Sequence, residues 1–269
     1  MLKNMKYRIL IVCLLLLSVC GVLFLYHFRV EVDLRTSQPT GDVPFSHDLF
    51  DQVLQEHVDE RQQVDYAKLK ANPEKLEAYL DLLAVANPAA LSYNAQLAFW
   101  VNAYNALVVK GVIDHYPITS VRKVKLFNGF FSRLKFQVAG EAYTLDQIEH
   151  GIIRTEFVDP RIHFVLVCAS SSCPPLWNRV YTAETIEEGL ETATLNFIRN
   201  TEQVRIDRAE RRVYLSKIFK WYKDDFKEGY EGVADFLSDY LPPEDAEFLA
   251  STDVKFRYLD YDWTLNDQH

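Results

Sequence analysis

The chain of 269 residues carries 38 acidic and 29 basic side chains, a formal net charge of −9, with 49% hydrophobic and 25% charged residues. That composition belongs to an ordinary globular protein whose core needs no disulfide or metal staple. The acidic balance and the lack of any basic run exclude a dedicated nucleic-acid binder. The 9 scattered glycines exclude the glycine-rich loops that cradle a pyrophosphate.

Residues 9–28, ILIVCLLLLSVCGVLFLYHF, hold no Asp, Glu, Lys or Arg. As a helix they reach about 30 Å, the thickness of a bilayer core. Lys3, Lys6 and Arg8 precede them, so the positive-inside rule keeps the N-terminus in the cytoplasm and sends everything after Arg29 across. We expect residues 1–28 to be an uncleaved membrane anchor, because the stretch is long and lacks an A-x-A cleavage pattern. A cleaved signal peptide is the second reading. A lipoprotein signal at Leu17-Ser18-Val19-Cys20 is the third, weakened by the Val before the Cys. The rest of the chain has 26 basic and 38 acidic residues, a net charge of −12, so anionic headgroups repel it and the anchor is the expected membrane contact. Residues 29–44 are polar, contain Pro39, Gly41 and Pro44, and read as a tether.

Residues 45–269 read as one domain. Ser46 can cap a helix over 47–58, where Leu49, Phe50, Val53, Leu54 and His57 recur at helical spacing. A second helix fits 73–86. Ser92 opens the longest periodic segment, apolar on most sides, which predicts a central buried helix ended by Pro117. Asn102 and Asn105 sit inside it on one face, and buried amides must be hydrogen-bonded. A hairpin is expected across Ala139-Gly140-Glu141, then a helix with a Thr144/Gln147 capping box that carries Asp146, Glu149 and His150. Residues 162–167, IHFVLV, read as a strand buried on both faces. After the loop CASSSCPPLW come an amphipathic helix at 183–199, a second hairpin around Asp207-Arg208-Ala209-Glu210, helical KIFKWYKDDF and GVADFLSDYL, and a closing strand, VKFRYLDYDW. Helices and strands mix without a βαβ beat, so the fold class is α+β, with a central buried helix and a small sheet.

Cys168 and Cys173 are the only cysteines outside the apolar stretch. They flank Ser170, Ser171 and Ser172 in a loop pinned by Pro174 and Pro175. A thiol beside an imidazole becomes a nucleophilic thiolate, and small-residue N–H groups can stabilise an oxyanion. The candidate imidazoles are His150 and His163. Asp146, four residues before His150, or Glu149 can orient that ring, and Asn102 or Asn105 can satisfy a buried His163. The same residues also admit blander roles: a structural disulfide or inert thiols, a surface His150, a core His163, and asparagines that anchor a neighbouring loop. No metal site is expected, since C-x4-C is not a zinc spacing and HExxH is absent, and no cofactor is called for. Trp177, Trp221 and Tyr222 can line a groove, and Asp224-Asp225 reads as a solvated turn.

FWVNAYNAL, LDQIEHGIIR, DPRIHFVLVCASSSCPPL, FKWYKDDF and YDWTLN, in this order, resemble the family catalogued as domain of unknown function 547 (DUF547), over nearly all of residues 45–267. The resemblance implies a fold and characteristic positions, here Asn102, Asn105, Glu149, His150, His163, Cys168 and Cys173, without an established activity. Family members occur in bacteria, often behind a signal or anchor, and in plants beside a leucine zipper; this implies a bacterial inner-membrane protein with its domain in the periplasm. Plant members carry Ser where this chain has Cys173, which implies that this thiol is not essential to the shared role. A buried helix followed by a His-bearing strand is also similar to the transglutaminase and papain-like arrangement, with asparagines where the nucleophilic Cys would stand.

Two functions follow as expectations. One is a thiol-dependent hydrolase or acyl transferase, with Cys173, His150, His163 and Glu149 as the catalytic group and Asn102, Asn105, Cys168 and Ser172 as binding residues. The other is a non-catalytic module that holds a small ligand or peptide in the same pocket. A redox role for the cysteine pair is a third reading, weakened by the absence of CxxC.

Overall fold

The computed structural model describes residues 45–125, 127–251 and 253–268. The expected anchor and tether lie outside the described residues. Among the described residues, no helix is long and apolar enough to cross a membrane.

The expected central helix forms as α4 (Tyr93–His115), after α1 (Asp48–His57), α2 (Tyr66–Ala71) and α3 (Glu74–Ala84). Its side chains from Leu97 to Val109 are all buried, so it forms the axis of the main core rather than one layer of it. At Gly111 the missing side chain admits α5 (Gly129–Arg133): a Cβ there would lie 2.9 Å from the Phe130 ring. The hairpin β1 (Phe136–Val138) and β2 (Glu141–Tyr143) then leads into α6 (Leu145–Ile148), which starts with the expected capping box. The chain continues through a wider π turn, Glu149–Ile153, into the short α7 (Arg154–Glu156).

The second half builds a smaller core. α8 (Ile186–Arg199) precedes β3 (Val204–Asp207) and β4 (Arg212–Leu215), an antiparallel pair. After α9 (Ile218–Trp221), α10 (Val233–Ser238) and α11 (Pro243–Leu249), β5 (Lys255–Tyr258) returns to pair parallel with β4. Phe164, Phe197, Phe219, Phe226 and Phe236 fill this core, with ring centroids about 5–6 Å apart. The architecture is α+β, as expected, but the strands form two small sheets, of two and three strands, rather than one.

The segment 162–167 corrects the reading of a buried strand. Pro160–Phe164 is a 3₁₀ turn, and the N–H groups of Val165 and Leu166 bond back to Ile162 O at 3.2 Å. A short apolar run fits a buried strand and a buried turn equally well, and only a ladder partner makes it a strand. Here Asn105 takes the partner's place. Its Nδ2 donates to Val165 O at 2.9 Å, and its Oδ1 accepts from Val167 N–H at 3.1 Å. Asn102 does the same one turn earlier: Nδ2 donates to Tyr181 O at 2.7 Å and Oδ1 accepts from Tyr181 N–H at 3.1 Å. Both side chains are sealed, 1% and 2% exposed.

Replacing Asn105 by Ala strands a buried carbonyl and a buried N–H as well as opening a small cavity. We expect Asn105→Ala to lower the unfolding free energy by roughly 3 kcal/mol or more, measured by urea denaturation. A loss below about 1 kcal/mol would mean that the clamp does not hold the segment.

Candidate functional site

A cavity of about 270 Å³ lies where the two cores meet, with Leu166 and Val167 on one side and Ile218 on the other. Its lining includes Glu149, His150, His163, Cys168 and Cys173. The sequence-selected residues Asn102, Asn105 and Ser172 are not part of it. Asn102 and Asn105 are the backbone clamps described above, and neither contacts His163 through a hydrogen bond. Ser172 Oγ accepts from Asp262 N–H at 2.8 Å and ties the loop to the C-terminal segment.

His163 stands on the 3₁₀ turn, 4% exposed, its ring stacked on Tyr222 at 3.8 Å. Its partner is Asp225, with Nε2 2.7 Å from Oδ2. This corrects the solvated-turn reading of Asp225. A carboxylate only accepts, so Nε2 carries the proton. Burial lowers the His163 pKa, and the bond from Asp225 opposes this only in part. The ring is therefore neutral at neutral pH, with a lone pair on Nδ1 that has no hydrogen-bond partner among the described residues.

Asp225 is held in turn by Arg154, which donates from Nε at 2.7 Å and from Nη2 at 2.5 Å. Burial pushes the Asp225 carboxyl up, but the bonds from His163 and Arg154 outweigh it and hold the group well below the usual carboxylate range. Arg154 Nη1 also donates to His150 Nδ1 at 2.9 Å. A guanidinium can only donate, so His150 receives on Nδ1 and carries its proton on Nε2. Arg154, not Asp146, thus orients His150; Asp146 makes no side-chain hydrogen bond among the described residues, and burial raises its pKa.

The π turn puts Glu149 and His150 at the cavity. A π turn inserts one residue into a helix and re-aims its neighbours. Glu149 is 7% exposed and accepts from two hydroxyls, Tyr104 at 3.0 Å and Tyr222 at 2.6 Å. Burial, reinforced by Glu149, pushes both phenols far above their ordinary range, so they remain donors.

The two cysteines are free thiols. Cys168 follows the clamped segment, and Ala169 turns the chain with φ 56°, a conformation uncommon outside glycine. Cys173 Sγ accepts from Cys168 N–H at 2.7 Å. Cys168 Sγ lies 3.0 Å from Ser170 Oγ and 3.2 Å from Tyr261 Oη. Burial pushes both thiols up. At Cys173 it prevails, helped by Cys168. At Cys168, hydrogen bonds from Cys173, Ser170 and Tyr261 outweigh it and bring the thiol below its ordinary value. Among the described residues, no imidazole nitrogen is a hydrogen-bond partner of either sulfur.

Aromatic side chains complete the walls. Trp221, Tyr261 and Trp263 cluster with centroids 4.8–5.9 Å apart. Trp221 and Tyr222 thus line this cavity, whereas Trp177 stacks on Tyr181 beside a second one. Asp225, Arg154, Tyr104 and Tyr261 are functional-site residues that the sequence reading missed. A buried imidazole demands a partner, and FKWYKDDF supplies an acidic one, but its approach to His163 is a tertiary fact. No group of His, Cys, Asp and Glu among the described residues is arranged to hold a metal ion.

Set beside known proteins, residues 88–198 match the model of the family described as "Protein of unknown function, DUF547". The chain resembles that family over this segment, which contains α4, the π turn, the 3₁₀ turn and the cysteine loop. No curated protein and no solved structure matches the chain.

Two outcomes check this geometry. Asp225→Asn removes the group that favours the imidazolium and leaves burial unopposed, so the His163 pKa should fall further, read from its ring-proton shifts in an NMR pH titration. An unchanged value would mean that the pair does not exist in solution. Iodoacetamide at pH 7 should alkylate Cys168 before Cys173, read by peptide mass spectrometry, because the thiolate is the reacting form; the reverse order would contradict the assignment.

Proposed function

We propose that this protein is a membrane-tethered, extracytoplasmic DUF547 domain whose cavity binds a small ligand without converting it. The observation that carries the reading is the partnering of the polar groups. Glu149, Asp225, Arg154 and His150 are tied to one another or to tyrosines, and among the described residues neither sulfur is hydrogen-bonded to an imidazole. A nucleophile with no base hydrogen-bonded to it lacks the pairing that thiol catalysis uses. A rigid, aromatic-walled hollow with a few placed polar groups is what ligand binding needs. The anchor at 1–28 and the net charge of −12 beyond it support a body held beside the membrane rather than on it.

One observation favours the thiol-dependent hydrolase as a second reading: Cys168, not Cys173, is the thiol whose ionisation is eased. In that reading Cys168 is the nucleophile, and His163, backed by Asp225, the base.

A thermal-shift screen of small polar compounds separates the two. A binder at a hundred times its Kd stabilises the folded state by about 2.7 kcal/mol. We expect such compounds to be recovered unchanged by mass spectrometry and to stabilise Cys168→Ser as they do the parent chain. Consumption of a stabilising compound that stops in Cys168→Ser would replace the binding reading with the catalytic one. Extraction of the full chain by alkaline carbonate, without detergent, would remove the tether.

A further inference from the structure

The cavity is acidic in its charged lining, with donors at His150, Asn128, Trp221 and Trp263 beside the acceptors. Two carboxyl groups, Asp146 and Glu149, line it, and no Lys or Arg does. Arg154, the nearest cation in the network, has its donors spent on Asp225 and His150. His163 presents a bare lone pair, because Asp225 occupies the other ring nitrogen. The Nδ1 atom is not among the sealed, unpartnered atoms of the described residues, so it reaches the space that His163 lines. Among the described residues, Asp146 has no hydrogen-bond partner for its carboxyl group. These groups accept hydrogen bonds, and their occupant must donate them. The Trp221–Tyr261–Trp263 cluster lines the same cavity; ring faces attract positive charge, and Arg122 already lies 5.4 Å over Trp263.

We propose that the ligand of this cavity is an organic cation with N–H donors, a primary ammonium on a small apolar body. The ammonium faces Asp146, Glu149 and the His163 lone pair, and the apolar body lies against the tryptophans. The proposal rests on the reading of the cavity as a ligand site and adds the charge and donor character of what it takes. An anion would meet two carboxyl groups and no Lys or Arg in the lining, and a neutral alcohol would leave acceptors unfilled in a desolvated site. The acidic body of the chain also raises the local concentration of cations.

Calorimetric titration of the full chain in uncharged detergent tests this with three probes of one shape: benzylamine, benzyl alcohol and benzoate. We expect benzylamine to bind at least about tenfold tighter than benzyl alcohol, and benzoate not to bind. Asp146→Asn and Glu149→Gln should each weaken benzylamine severalfold and leave benzyl alcohol unchanged, and Trp221→Ala should weaken both. Glu149 is buried between tyrosines, so Gln there can disturb folding. Asp146 makes no side-chain hydrogen bond among the described residues, and Asp146→Asn keeps the test decisive. Benzoate or benzyl alcohol binding as tightly as benzylamine would overturn the cation while leaving a ligand site in place. Benzylamine affinity unaltered by Asp146→Asn would do the same. Binding of none of the three would overturn both the cation and the ligand site.

Discussion

The cavity depends on two asparagines placed where helices rarely put them. Asn is a poor interior helix residue, because its amide competes for backbone groups. In α4 that tendency is put to use across the core instead of along the helix. Asn102 and Asn105 each offer a donor and an acceptor to a segment that has no strand neighbour, and so supply the hydrogen bonds a sheet would have supplied. The segment held by Asn105 runs directly into Cys168, and His163 stands just before it. An irregular backbone can therefore line a hollow in the middle of the molecule without leaving buried polar groups unmet.

A second constraint builds on the first. The run His163–Asp225–Arg154–His150 links the 3₁₀ turn, the segment after α9 and the π turn by hydrogen bonds of 2.5–2.9 Å. Each bond fixes the next by donor logic: a carboxylate cannot donate and a guanidinium cannot accept. The chain of bonds thus sets both imidazole tautomers and leaves His163 Nδ1 as the bare atom. Glu149 stands outside this run, satisfied by the hydroxyls of Tyr104 and Tyr222. Its hydrogen bonds thus come from neutral donors rather than from a cation.

Much of this was legible in the chain before any coordinates. The period of α4, the Thr144 capping box and both hairpins follow from local rules that act within a few residues. His150, His163, Glu149 and the cysteines stand out because such groups are costly to bury or chemically distinctive. What local rules could not show was pairing at long range. Residues 162–167 look like a strand because apolar content carries no information about the partner. Asp225 looks like part of a solvated turn because its ligands, Arg154 and His163, lie more than sixty residues away. The asparagines were legible as anchors, but not what they anchor.

The two thiols show how burial divides roles within one short loop. Cys173 is the more buried, and its sulfur receives the Cys168 N–H. Moving it toward thiolate would place charge in a buried site, with Cys168 beside it as a competing acid. Its function at that position is to accept a backbone hydrogen bond, and a serine hydroxyl of similar shape can accept the same bond. Cys168 differs because Ser170 and Tyr261 hand it hydrogen bonds that favour the charged sulfur. Any reactivity of this pair toward electrophiles is therefore concentrated at the wall of the cavity, where Cys168 faces whatever the carboxyl groups hold.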